Sequence, residues 1–276
     1  MLGSDLLRRF EKVELVKSGG QRTVYRAAQG STFVAVKIGS FGSTTALERI
    51  SREIEVQRTL DSVYYPRNLS FDIAGDQYLI VEEYVDGSPL TECMPRFFDP
   101  GQALGLLRHL IVGLNLLWER HIVHRDIKPD NIIITASGMP KILDLGIARM
   151  VDLDSLTRTI AMLGPCTPMY AAPEQLRNRK TMIDHRTDQF LLGLLTLQLL
   201  FRGRHPFDPA VVGSGESIVT NLLTDNWYRA GLKATRLAPV YPLISRMLGS
   251  EPFQRFRTKE MLLQATDKCI EVYDAC

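Results

Sequence analysis

Over the first 84 residues apolar and polar positions alternate in short runs. The alternation over 13–16, 23–27, 33–38, 69–73 and 78–83 predicts five strands, with turns at Gly19-Gly20, Gln29-Gly30 and Gly75-Asp76. One segment breaks the rhythm. In "TTALERISREIEVQRTLD", residues 44–61, Leu47, Ile50, Ile54 and Leu60 recur at roughly helical spacing. After "VDGSPL" the texture changes, and "GQALGLLRHLIVGLNLLWERH" (101–121) places leucine and isoleucine three and four apart over five turns. Two short strands are expected at 132–135 and 141–143, and from Pro173 onward the pattern is helical again. The chain therefore divides into a sheet-rich small lobe, residues 1–84, and a helix-rich large lobe, residues 85–276, an α+β architecture.

The most apolar stretch, "FLLGLLTLQLLF" at 190–201, is 12 residues long, short of the roughly 20 that cross a bilayer, so it reads as a buried helix. Charges in "MLGSDLLRRFEK" interrupt the apolar core that a signal peptide needs, so secretion is not expected. With 33 basic and 31 acidic residues the net charge is +2, which offers no bulk attraction for nucleic acid or an anionic membrane. Cys93, Cys166, Cys269 and Cys276 are scattered without a C-x-x-C pair, which argues against a zinc site or disulfide framework. That pattern suits a reducing compartment, and a cytoplasmic location is expected. Oligomeric state is not readable.

The chemistry concentrates in "HIVHRDIKPDNIII" (121–134), where a carboxylate (Asp126), a cation (Lys128) and an amide (Asn131) fall within a few residues on a loop between a helix and a short strand. Thirteen residues after Asn131, "DLG" begins at Asp144. An asparagine and an aspartate on adjacent loops can share one divalent cation, and magnesium prefers sparse sites in which a nucleotide supplies further oxygens. Asp126 can accept a proton from a hydroxyl while Lys128 screens charge on a transferring group.

Taken together, "VAVK" (34–37), "HRDIKPDN" (124–131), "DLG" (144–146) and "AAPE" (171–174), in that order, resemble the eukaryotic-type serine/threonine protein kinase family. The likeness runs over essentially the whole chain and implies the bilobal kinase fold, ATP and Mg2+ (or Mn2+) as cofactors, and a protein substrate with a Ser/Thr acceptor. It implies that Lys37 holds the α- and β-phosphates and pairs with Glu53, that Asp126 is the catalytic base with Lys128 beside it, and that Asn131 and Asp144 bind the metal. Backbone groups of Glu83 and Val85 would meet the adenine edge, with Val24, Ala35 and Ile133 on its faces. The D-x-K arrangement of Asp126 and Lys128, with Thr167, is similar to that of serine/threonine enzymes. Asp188 is expected to brace the catalytic loop and Glu174 to pair with Arg255. Arg125 and Arg149 would form a phosphate pocket for an activation-loop site at Thr157, Thr159 or Ser155. "APEQ" and "RFRT" resemble sequences of bacterial members, and no regulatory module is expected within the chain.

Three departures stand out. In "VKSGGQRTVYRA" the family's G-x-G-x-x-G places Lys17, Gly19 and Arg22 at its glycine positions. Gly19 and Gly20 keep the close approach to phosphate, and Lys17 and Arg22 add cations, so a working loop with a looser grip is expected. The alternative is a nucleotide-binding pseudokinase scaffold acting through protein contacts. Gln57, one helical turn after Glu53, and Glu82, at the rear of the adenine pocket, are both polar where the family is usually apolar. They are expected to hydrogen-bond to each other, with Lys37 or a water sharing the carboxylate; a register slip would instead turn both to solvent.

Overall fold

The computed structural model describes residues 7–19, 22–60, 62–145, 168–233 and 235–274. The five expected strands form β1 (Glu11–Ser18), β2 (Arg22–Gln29), β3 (Thr32–Ser40), β4 (Asn68–Ala74) and β5 (Gln77–Glu83), one antiparallel sheet in the order β1-β2-β3-β5-β4. Period-two alternation divides this sheet into two faces. Val34, Val36, Ile38, Leu79 and Val81 point to one side and bury against Phe10 and Ala27. The register places Arg22, Val24, Ala35, Lys37, Tyr78, Ile80 and Glu82 on the other. Helix α1 (Thr44–Thr59) covers part of that second face, packing Ile50 and Ile54 on Tyr78 and Ile80. Its first turn is capped by Ser43, whose hydroxyl accepts from the Ala46 amide at 3.2 Å.

The large lobe is built on α2 (Pro100–Trp118), α3 (His185–Leu200), α4 (Tyr241–Met247) and α5 (Lys259–Asp274), with short helical turns between them. Asp99 caps α2 through the amides of Gly101 (3.0 Å) and Gln102 (3.4 Å), and Pro100 sits where its missing N–H costs nothing. Helix α3 is buried on every side from Thr187 to Leu200, which accounts for its unbroken apolar run. Among the described residues no helix is long and apolar enough to cross a membrane.

A second, three-stranded sheet lies beneath the cleft: β6 (Gly87–Pro89), β7 (Ile132–Thr135) and β8 (Pro140–Ile142). The first of these was not expected from the pattern. Three residues carry no readable alternation, and the strand depends on Gly87, where a Cβ would fall 2.4 Å from the Ile134 carbonyl oxygen.

Candidate active site

The floor of the cleft is fixed from below by Asp188 on α3. Its fully buried carboxylate accepts from the backbone amides of His124 (2.9 Å) and Arg125 (2.8 Å) and from the Trp118 indole (2.9 Å). Burial pushes the Asp188 carboxyl upward in pKa, with the three N–H donors pulling against it. Arg125 sits at a φ of 66°, a conformation costly for a side-chain-bearing residue and sustained here by both amide bonds to Asp188. Its carbonyl accepts from Gln175 at 3.0 Å, tying the "AAPEQ" turn to the loop. Within the loop the His124 ring is a neutral tautomer: Nε2 donates to the Leu143 carbonyl (3.2 Å) and Nδ1 accepts from the Asp126 amide (3.3 Å). The loop is thereby bound at both ends of one imidazole.

On this frame Asp126 is buried, with Oδ1 at 3.3 Å from Lys128 Nζ and Oδ2 accepting from Asn131 Nδ2 at 2.6 Å. Asn131 Nδ2 also donates to the Asp126 carbonyl at 2.8 Å. Both of its amide hydrogens are thus committed to Asp126, which leaves Oδ1 as the atom Asn131 can offer a cation. Asp144 follows β8, held near Asn131 by the Leu143 amide donating to the Asn131 carbonyl at 2.8 Å. The pair supplies hard oxygens from adjacent loops, the donor set that suits a divalent cation shared with a nucleotide.

The roof departs from the expected wiring. Lys37 Nζ lies 2.7 Å from Glu82 Oε2 and 2.8 Å from Asp144 Oδ1, and no ion pair joins it to Glu53. Glu53 is taken by Arg22, Nη2 to Oε2 at 3.0 Å and Nη1 to Oε1 at 3.4 Å. The register explains the exchange: Ala35 faces Glu82 and Lys37 faces Ile80, so Lys37 and Glu82 are diagonal neighbours on one face of the central strands. Burial would lower the Lys37 pKa, but the Asp144 and Glu82 carboxylates outweigh it and hold the ammonium well above its ordinary value. The expected Gln57–Glu82 hydrogen bond is also absent. Both side chains are buried, so neither turns to solvent, but Gln57 Nε2 donates to the Pro66 carbonyl at 3.1 Å while Glu82 pairs with Lys37.

The remaining expected residues are placed as follows. Val24 and Ala35 line the roof half-buried, and Ile133 alternates with the buried Ile132 and Ile134 of β7. Val85 is buried in the linker. The Glu83 amide donates to the Arg67 carbonyl at 2.9 Å, so of its peptide only the carbonyl is left to offer an adenine. Lys17 reaches Asp130 across the cleft mouth at 3.7 Å, an exposed contact worth about 0–1 kcal/mol. The Gly19 amide donates to the Arg22 carbonyl at 3.0 Å. Glu174 and Arg255 form the expected pair, bidentate at 2.6 and 2.8 Å and fully buried. Burial lowers the Arg125 pKa, and its Nε has no hydrogen-bond partner among the described residues. Gly20, Arg149, Ser155, Thr157, Thr159 and Thr167 lie outside the described residues. Trp118 and Tyr78, which anchor Asp188 and Arg22, were missed in the sequence; both lie in ordinary apolar patterns that give no sign of a polar duty.

Comparison with known proteins agrees with this geometry. The family model described as "protein kinase domain" matches residues 10–265. The serine/threonine-protein kinase pkn2 of Myxococcus xanthus is 33% identical over 253 residues, covering 87% of this chain and 29% of that protein. PrkC, a serine/threonine-protein kinase of Bacillus subtilis, is 30% identical over 272 residues, covering 94% and 40% respectively. The chain thus spans well under half the length of these relatives. The crystal structure of the Mycobacterium tuberculosis PknI kinase domain shares its fold, with a TM-score of 0.66 at 22% identity over 94% of this chain and 97% of that one. Ordered motifs, a bilobal cleft and a family match over nearly the whole length place the chain in the eukaryotic-type serine/threonine protein kinase family.

Proposed function

We propose that this chain transfers the γ-phosphoryl group of ATP to serine and threonine hydroxyls of proteins, its own segment 151–167 included. The observation that carries this reading is the Asp126 carboxylate, buried and oriented by Asn131 and Lys128 at the floor of the cleft. In the reaction Asp126 accepts the proton of the incoming hydroxyl, and Lys128 screens charge on the moving phosphoryl group. Asn131 Oδ1 and the Asp144 carboxylate would hold Mg2+ or Mn2+, which when bound neutralises the phosphate oxygens. Lys37 faces the phosphates, while the Glu83 carbonyl and the Val85 amide orient the adenine between Val24, Ala35 and Ile133. The lobe boundary falls at 84/85, one residue past the end of β5 at Glu83. Free thiols at Cys93 and Cys269 support a reducing compartment such as the cytosol.

The test is incubation with γ-labelled ATP, a generic basic protein, and Mg2+ or Mn2+ in separate arms. Label recovered as phosphoserine or phosphothreonine is expected. Nucleotide binding without transfer in either arm would overturn the reading in favour of a scaffold.

A further inference from the structure

Five charged groups meet under the roof: Arg22, Lys37, Glu53, Glu82 and Asp144. Their side-chain exposures separate them into two kinds. Lys37 (7%), Glu53 (5%), Glu82 (5%) and Arg22 (16%) are enclosed, whereas Asp144 is 41% exposed. Two enclosed carboxylates are matched by two enclosed cations, and Asp144 is the surplus anion, touching Lys37 at 2.8 Å and Arg22 at 3.6 Å.

We propose that Glu82 is the positioning residue for Lys37, that Glu53 positions Arg22 instead, and that the nucleotide phosphates therefore meet two separately anchored cations. The proposal rests on the ATP-binding reading above and adds Arg22 and Glu82 to that site. The register makes the pairing a property of the sheet. Arg22, Gly39 and Tyr78 are aligned across β2, β3 and β5, and two positions along lie Val24, Lys37 and Ile80. Gly39 carries no side chain, so Arg22 crosses above it to donate from Nε to the Tyr78 hydroxyl at 2.9 Å and from its Nη atoms to Glu53 on α1. Glu82 lies four residues along β5 from Tyr78, about 13 Å at strand rise, beyond the row that Arg22 occupies. If Lys37 swung to Glu53, Glu82 would stay enclosed with its cation gone, an unpaired buried charge that folds strongly disfavour. When Asp144 turns to a divalent cation, by contrast, both enclosed pairs survive. The departures at the third loop position and at the rear of the adenine pocket are then one device: the arginine occupies the helix glutamate, and the rear glutamate takes over the lysine.

Double-mutant cycles on the full chain test this with two readouts: the urea midpoint of the nucleotide-free protein and the dissociation constant for ATP by calorimetry. Lys37→Met with Glu82→Gln, and Arg22→Gly with Glu53→Gln, should each be non-additive in both. Lys37→Met with Glu53→Gln should be close to additive. Glu82→Gln alone should weaken ATP about tenfold, with Glu82→Asp recovering part of the loss; the Asp variant and Arg22→Lys serve if a charge-removing change fails to fold. Coupling of Lys37 to Glu53 with none to Glu82 would overturn the proposal, as would ATP affinity unmoved by Arg22→Gly. Wild-type protein that binds no ATP would remove the phosphate role together with the proposed function, and the urea cycles would still decide the pairing.

Discussion

The floor and the roof of the cleft handle buried charge in opposite ways. In the floor, partners are dedicated. Asp188 serves two backbone amides and one indole, Asp126 is held by Asn131 and Lys128, and the nearby Glu174–Arg255 pair closes on itself with two hydrogen bonds. Arg255 also donates to the carbonyls of Gly249 and Arg186, and Thr187 donates to Glu174, so four of the five guanidinium N–H groups and both carboxylate oxygens are engaged. In the roof, Asp144 is shared by two cations and remains partly open to solvent. Closed pairs hold a shape, while a shared carboxylate at the cleft can change partners when a metal arrives. The contrast assigns architecture to one set of charges and ligand exchange to the other.

The largest effect should come from breaking a closed pair. Arg255→Ala leaves the Glu174 carboxylate buried without its cation, and a loss of about 3–5 kcal/mol in urea denaturation is expected. A loss below about 1 kcal/mol would show that the floor pair is not closed.

His205 offers a second way to probe dedicated partners. Its Nε2 donates to the Met169 carbonyl (3.0 Å) and Nδ1 accepts from the Phe207 amide (3.3 Å), a neutral ring against Tyr170. Burial lowers its pKa from 6.5 to about 4, with the Met169 contact and Asp208 opposing weakly. The unfolded chain therefore binds the proton first: this contribution is complete above pH 6.5 and is lost as pH falls toward 4. Between pH 7 and 5 the wild type should lose about 2 kcal/mol more than His205→Gln. Equal acid limbs would contradict the buried neutral ring.

A smaller change sharpens the roof. Gln57→Leu strands the Pro66 carbonyl and should cost about 1.5 kcal/mol. Adding Glu82→Met should not recover that loss, because it removes the carboxylate beside Lys37. Recovery in the double variant would restore the direct Gln57–Glu82 pairing.

The same contrast explains what was legible in the sequence. The strands, the helices and the floor could be read because their determinants are short-range. Alternation sets the sheet faces, and Asp126, Lys128 and Asn131 meet within one loop. The Glu174–Arg255 and Asp188 contacts followed from the resemblance. The roof resisted because Lys37 has three carboxylates to choose among, carried on α1, on β5 and on the loop after β8. Strand register decides the choice, and periodicity cannot rank competing partners. Strand β6 was missed for a related reason: its existence depends on Gly87 fitting beneath a neighbouring carbonyl, a steric fact with no pattern behind it.

The claim that the floor performs phosphoryl transfer is tested most directly by Asp126→Asn, which keeps the shape and the Asn131 contact while removing the charge. Turnover of a protein substrate and the ATP dissociation constant should be measured on the same preparation. We expect kcat to fall by roughly 10²–10⁴-fold, because the proton acceptor is lost, with ATP affinity changed less than about twofold. Wild-type turnover in Asp126→Asn, or a loss traced wholly to weaker ATP binding, would contradict the assignment of Asp126 as the base.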